Sequence, residues 1–222
     1  MLWDWSYTWQ ILPELLAAAV ITIEATLLGF AVAAVLGLVL AILRMSQNPW
    51  ISNPITGLIE FVRGTPVLIQ IFFMFYVLPQ FSITMPALLT GVLALGLHYA
   101  TYCSEVYRAG LENIPRGQWE ASIALNLTPY RTFRDVIIPQ AIPPVVPALG
   151  NYFIAMFKET PLLSAIAVVE LMQTAKILGS FSFRYLEPIT LVGAFFLIMS
   201  LVASMLNQQF ERWLRLRTGG LR

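Results

Sequence analysis

The stretch ATLLGFAVAAVLGLVLAIL, residues 25–43, carries no charged side chain. A transmembrane helix needs about 20 mostly apolar residues to cross a hydrocarbon layer roughly 30 Å thick. This run meets that need, and its apolar pattern begins earlier, near Leu15, with Glu24 inside it. Residues 64–104 are also free of charge, which is too long for one span. Pro79, Ser82, Thr84 and Pro86 punctuate that stretch, so two helices and a short turn are expected. Residues 136–157 and 188–210 supply two more runs. The expectation is an all-α polytopic membrane protein with five spans, near 15–43, 55–79, 86–109, 139–158 and 188–211.

Composition supports this. Of 222 residues, 58% are hydrophobic and 11% charged, with a net charge of +1. Soluble domains run at roughly 45–50% apolar and about 25% charged. The balance excludes an ordinary soluble enzyme, a disordered chain and a nucleic-acid binder that relies on basic excess. One cysteine, Cys103, excludes an internal disulfide and a cysteine-only metal site. The single histidine, His98, has no second histidine with which to share a metal, so no metal site is expected.

No Lys or Arg precedes Arg44, whereas cleavable signal peptides begin with a positive segment, so the first span is expected to stay. Trp3, Trp5, Tyr7 and Trp9 suit an interfacial aromatic belt. Threading five spans puts Arg44, Arg63, Arg108, Arg116, Arg131, Arg134, Arg212, Arg215, Arg217 and Arg222 on one face. Lys158, Lys176 and Arg184 fall on the other. The positive-inside rule makes the first face cytoplasmic. Residues 1–14 are then a periplasmic segment, 15–211 the membrane domain, 110–138 its largest cytoplasmic loop and 212–222 a basic cytoplasmic tail.

Within the spans, Gly29, Ala33, Gly37 and Ala41 repeat every fourth residue, a ladder that lets another helix approach closely. Packing within the subunit is the first reading, and packing against a second subunit the other. Pro139, Pro143, Pro144, Pro147 and Gly150 mark the fourth span as a kinked packing helix or a pathway wall. Intramembrane ionisable groups are costly and therefore functional candidates. Glu60 and Arg63, three apart, can pair on one face. Glu105 reads as a snorkelling end charge, His98 as a hydrogen-bonded packing residue and Cys103 as an inert buried thiol.

Residues 110–138 read as two short helices around a tight turn. Gln118–Leu125 holds helix formers with Ala121, Ala124 and Leu125 on one face. Asn126 suits the left-handed position after a helix. Thr128 can cap the next helix with Pro129 at its first position, and Arg131 can pair with Asp135. A short surface helix exposing small residues and Glu120 suits a partner's groove, and an ordinary structured loop is the plainer reading.

Glu120-Ala121-Ser122 with Asn126, then Val136, Ile138 and Pro139, resembles the EAA loop of ABC importer permeases. Ser122 stands where that pattern has Ala, and Asn126 where it has Gly. Glu60-Phe-Val-Arg-Gly-Thr-Pro66-Val-Leu-Ile-Gln70, Glu105-Val-Tyr-Arg-Ala-Gly110, Ile114-Pro-Arg-Gly-Gln118 and Lys158-Glu-Thr-Pro-Leu-Leu163 resemble the polar amino acid uptake family within that group. The likeness covers nearly the whole chain, and its N-terminal third is most similar to ectoine/hydroxyectoine importer permeases.

The resemblance implies a type I ABC permease fold, and a coupling loop in which Glu120, Ala121, Ser122, Leu125 and Asn126 meet an ATPase subunit. It implies a second permease, identical or related, and a periplasmic or lipid-anchored solute-binding protein. ATP and Mg would sit on the ATPase, leaving this chain without a cofactor. Solute contacts would fall on Tyr152 and Glu159, with Thr65 as a weaker candidate. A tyrosine face plus one carboxylate suits a delocalised cation, as in a cyclic zwitterion such as ectoine, or a neutral amino acid. Independently of any resemblance, neither Lys158 nor Lys176 follows a glycine, so no P-loop is present and energy must come from outside the chain. The alternatives are an ion-gradient-driven transporter or channel subunit, and a non-transporting membrane scaffold. Secondary transporters tend to show inverted repeats, and none is evident here.

Overall fold

The computed structural model describes residues 3–217, apart from the side chains of Arg215 and Arg217. Met1, Leu2 and the end of the basic tail, Arg222 included, lie outside the described residues. Among the described residues there is helix and turn but no strand.

Helix α1 runs Trp5–Arg44, so residues 5–14 continue the first span as one helix rather than standing apart. Asp4 starts it: the carboxylate accepts from the Ser6 and Tyr7 amides at 2.9 and 3.2 Å. These are N–H groups that the first helical turn leaves unpaired. Forty residues span about 60 Å at 1.5 Å each, well beyond a bilayer core.

The expected second span, 55–79, is not one helix. Helix α2 (Pro49–Arg63) and the segment Val67–Phe81 meet at 102°. Gly64 caps α2, and Pro66 precedes helix α3 (Val67–Phe72). Proline has no amide proton, and its ring disfavours helical backbone at the residue before it. The ladder therefore breaks between Arg63 and Val67. A π-helical turn (Phe73–Val77) and a 3-10 turn (Leu78–Phe81) follow, closed by Ser82 at φ 64°. Helix α4 (Ala87–Glu112) then packs beside α1.

Helices α1 and α4 run parallel, as three contacts along them show. Gly29 faces Val92 and Leu95, Gly37 faces Ala100 and Cys103, and Arg44 pairs with Glu105 at 2.8 Å. Gly29, Ala33, Gly37 and Ala41 are all buried. A Cβ on Gly37 would stand 2.6 Å from the Cys103 Cβ and 2.9 Å from the Ala100 carbonyl oxygen. In lipid there is little hydrophobic drive between helices, so attraction comes from close van der Waals approach, which glycine permits. Cys103 is fully buried in this seam.

Beyond the 110–138 loop, the chain climbs from helix α6 (Pro129–Arg131) through a π-helical stretch (Thr132–Ile137) into α7 (Ile138–Glu159). A 3-10 segment (Thr160–Ile166) and Ala167 at φ 59° end that climb. Helix α8 (Leu171–Ser182) follows at a 47° bend, in a stretch where the sequence suggested only a connection. Helix α9 (Leu186–Arg217) returns along α7, with the Phe157 and Phe196 rings 5.1 Å apart. Among the described residues three helices, α1, α4 and α9, are long and apolar enough to cross a membrane alone. The number reaches five if each bent pair counts as one span. Ile198, Val202 and Met205 on α9 stay exposed, the surface a lipid-facing helix needs.

Both ends of the bundle are tied by polar contacts. At one, the Asp4 amide donates to Glu187 at 3.0 Å, and Arg184 pairs with Glu187 and, at 3.5 Å, with Asp4. At the other, Glu105 is shared by Arg44 and Arg108, and Arg108 also pairs with Glu112. Glu105 is thus the centre of an ion-pair chain rather than a lone end charge.

Candidate functional site

The α2–α3 break lies beside a cluster of aromatic rings. Tyr102 and Tyr152 lie 5.4 Å apart, Tyr99 and Tyr152 6.4 Å, and Tyr99 and Tyr102 5.9 Å. Tyr99 and Tyr102 sit three apart on α4, so they share a face. Tyr152 and Glu159 are seven apart on α7, two helical turns, and share another. Glu159 lies against the Tyr99 ring side of the cluster. Its Oε2 is shielded from solvent without a hydrogen-bond partner. It makes no ion pair with neighbouring Lys158, because adjacent residues on a helix diverge by about 100°. The Arg63 guanidinium caps the cluster, 4.9 Å from the centre of the Tyr102 ring. Arg63 therefore stacks on an aromatic face, and the expected Glu60–Arg63 pair does not form.

Thr65 is placed differently from Tyr152 and Glu159. Its hydroxyl donates back toward the Phe61 and Val62 carbonyls at 3.2 and 3.1 Å and accepts from Gln70 Nε2 at 2.8 Å. It serves the α2–α3 break and reaches the ring cluster only through Gln70. That side chain holds the corner: Nε2 also donates to the Val62 and Thr65 carbonyls at 2.7 and 3.1 Å. Carbonyls can only accept, which fixes the amide orientation and leaves Oε1 facing His98 Nδ1 at 3.3 Å. His98 is buried and hydrogen-bonded, as a packing histidine should be. Sequence reasoning missed Tyr99, Tyr102 and Gln70. The signal was His98-Tyr99-Ala-Thr-Tyr102, a run of rings at helical spacing inside an uncharged span.

The second candidate region is the loop. Helix α5 (Arg116–Ala124) ends with Asn126 at φ 52°, and the Leu127 amide reaches the Ser122 carbonyl at 3.0 Å. Thr128 Oγ1 accepts from the Arg131 amide at 3.4 Å, with Pro129 at the first helical position. The helix after this turn is not short, since it runs on into α7. Its π-helical stretch inserts an extra residue per turn, which takes Arg131 and Asp135 out of i,i+4 register. Arg134 instead lies 3.7 Å from Asp135.

Glu120, Ala121, Leu125 and Asn126 are exposed, together with Ile123 and Tyr130. Ser122 is buried, its hydroxyl donating to the Gln118 carbonyl at 2.8 Å. Of the five loop candidates, Ser122 alone faces inward. The Trp119 and Phe133 rings, 5.3 Å apart and edge-on, fasten α5 to the start of the climb toward α7. Helix α5 is thus in direct contact with the start of the climb into α7, the helix that carries Tyr152 and Glu159.

Comparison with known proteins gives the family and the fold. Residues 33–216 match the family described as "Binding-protein-dependent transport system inner membrane component". The chain is 50% identical over 197 residues to the probable amino-acid ABC transporter permease protein y4tG of Sinorhizobium fredii. That match covers 89% of this chain and 85% of the relative. It is 32% identical to the glutamine transport system permease protein GlnP of Escherichia coli, covering 97% of this chain and all of the relative. Among solved structures, an amino acid ABC transporter crystallised with histidines superposes with a TM-score of 0.90 at 36% identity. There the match spans 96% of this chain and 99% of that one. The type I ABC permease fold is shared throughout. The chain belongs to the binding-protein-dependent transport system inner membrane component family, as a permease subunit whose ATPase is a separate chain.

Proposed function

We propose that this permease passes a small zwitterion, an amino acid or an ectoine-like solute, along the face formed by Tyr99, Tyr102, Tyr152 and Glu159. The observation that carries the reading is the Glu159 Oε2, shielded and unpartnered on the Tyr99 side of the tyrosine cluster. The Tyr99 hydroxyl engages this carboxylate but leaves Oε2 unpaired, and that oxygen suits an incoming ammonium or delocalised cation, with the rings adding cation–π attraction. The names of the relatives, amino-acid and glutamine permeases, support the solute class. Thr65 acts on the solute at one remove, through the Gln70 corner.

In this reading the N-terminus is periplasmic and the Arg-rich end cytoplasmic. The exposed edge of α5, with Glu120, Ala121, Leu125 and Asn126, docks the ATPase that holds ATP and Mg, while Ser122 keeps that edge in shape from inside. A binding protein delivers solute at the Asp4–Glu187 end, and a second permease closes the pathway. The Gly29–Ala41 ladder is spent inside the subunit, so the second permease meets another surface.

The test is uptake in vesicles holding the permease, its ATPase and its binding protein. Uptake should need ATP and the binding protein, and Glu120→Lys should abolish stimulation of the ATPase while the complex loses its ATPase on purification. Coupling unchanged in that variant would refute the docking surface.

A further inference from the structure

A second polar feature lies on the other side of α7. A cavity of about 340 Å³ opens between α7 and α9, lined by Ile154, Lys158, Phe196, Leu197, Ser200, Leu201 and Ser204. Ile154 and Lys158 are four apart and share a face, turned away from that of Tyr152 and Glu159 by roughly 130°. Phe196, Ser200 and Ser204 repeat every fourth residue on α9, so they line one stripe. The volume lies within the range of small-molecule pockets, roughly 300–1,000 Å³.

Two polar groups in this cavity lack partners. Lys158 is exposed and makes no hydrogen bond or ion pair among the described residues. Ser200 is more than nine-tenths buried, and its Oγ has no hydrogen-bond partner. Depth narrows what they could bind. Ser200 lies fourteen residues into α9, about 21 Å along the helix from Leu186 and midway through its apolar run 188–210. A phospholipid headgroup stays at the bilayer surface and does not reach that level. Lys158 follows Phe157, whose ring packs on Phe196, ten residues or about 15 Å along α9 from Leu186. It therefore lies within the depth of the bundle and not on the outer face that the span count gave it. A cation there belongs to a wet cavity or an anionic partner rather than to lipid.

We propose that the α7–α9 cavity is a second solute station that binds a carboxylate, with the Lys158 ammonium as its charge and the Ser200 hydroxyl as a neutral donor. The inference rests on the reading of the chain as a permease for small zwitterions. The end of α7 then offers opposite charges to its two sides: Glu159 toward the ring cluster for the cationic group, and Lys158 toward the α9 cavity for the carboxylate. The apolar wall of Ile154, Phe196 and Leu197 tolerates a variable side chain, while the fixed pair of donors reads the group that amino acids share.

The test uses the whole importer in vesicles, in a Cys103→Ala background, with a thiol introduced by Ser200→Cys. Two water-soluble methanethiosulfonates are compared, one bearing a sulfonate and the other a trimethylammonium group. The sulfonate reagent should modify the thiol about tenfold faster, since a nearby cation raises local anion encounter. Lys158→Gln should erase that preference, and sodium acetate should slow the sulfonate reagent more than sodium chloride of equal ionic strength. Modification by neither reagent would mean that lipid or another chain covers the groove, and would overturn the proposal. Equal rates, or acetate acting no more than chloride, would overturn it too. ATP-dependent uptake by the unmodified importer is measured alongside. Its absence with the charge preference intact would count against the importer reading alone.

Discussion

The α1–α4 seam and the α7 region are built on opposite principles. The seam is straight, parallel and filled with small residues, and Gly37 approaches Ala100 and Cys103 too closely for any Cβ. Around α7 the backbone is broken repeatedly: the π-helical stretch at 132–137, three prolines inside the helix and the 3-10 segment at 160–166. The α2–α3 corner, held by Gln70, stands beside it. The seam uses its side chains to bring backbones together, and the broken region uses its backbone to bring side chains together. A transporter needs both, a part that holds shape and a part whose hydrogen bonds are already irregular and can be rearranged.

The largest expected effect comes from violating the seam. Gly37→Leu must move α4 away from α1, because the first obstruction is backbone as well as the Cys103 side chain. Overpacking of a tight core costs about 1–3 kcal/mol, and with so little room at Gly37 the upper part of that range applies. The permease should lose thermal stability and accumulate poorly, whatever solute is present. A variant as stable as the parent in a detergent melting experiment would show that the seam is slack.

Glu159→Gln is the counterpart in the broken region. It keeps size and shape, so melting temperature should stay near that of the parent. Uptake should fall at least tenfold, equivalent to about 1.4 kcal/mol of lost transition-state stabilisation. Together the two variants separate shape from passage: one loses stability first, the other only transport. Wild-type uptake by Glu159→Gln would remove the carboxylate from the pathway.

Legibility in the sequence divides along the same line. The seam could be read because it obeys periodicity. An uncharged run predicts α1, and small residues every fourth position predict its close-packed face. The turn after α5 was also readable, because Asn126, Thr128 and Pro129 are local signals that act through their own backbone. The broken region was not. Gly64 and Pro66 mark a turn inside an apolar stretch, but they do not state that the chain bends through 102° there and splits the expected 55–79 span. Helix α8 was missed because twelve residues with Lys176 among them look like a connection. Its cap, Glu170, is a fully buried carboxylate accepting from the Met172 and Gln173 amides, and only tertiary packing reveals that. Tyr99 and Tyr102 were passed over because aromatic rings at helical spacing usually mean core. Their role depends on what α7 brings opposite them.

A smaller effect is expected at the corner between the two regions. Gln70→Leu strips donors from the Val62 and Thr65 carbonyls and an acceptor from His98. A net hydrogen bond is worth about 1 kcal/mol, and some of these groups can find water. Uptake should fall about fivefold, with hydrogen exchange quickening in residues 62–70 and not at the Gly37 seam. Exchange rising equally in both places would mean that the corner supports the whole bundle rather than the pathway side alone.

The smallest effect tests whether the tie at the start of α1 is electrostatic or only a helix cap. The Asp4 carboxyl is held below the usual carboxylate range, chiefly by the Ser6 hydroxyl and then by the Tyr7 amide, with Arg184 adding a weaker pull. An unfolded aspartate titrates near pH 3.9. Because the folded value is the lower one, the contribution is complete above that pH and is lost as pH falls through the folded value. Amide exchange at Ser6 and Tyr7 should therefore quicken in acid beyond the intrinsic trend, while the Gly37 seam does not respond. Asp4→Asn discriminates between the two causes. Asparagine caps a helix as well as aspartate does, but it neither titrates nor pairs with Arg184. If the cap alone matters, protection at pH 7 stays and only the acid response disappears. If protection at pH 7 falls as well, the pairing with Arg184 is what fastens α1 to the turn before α9.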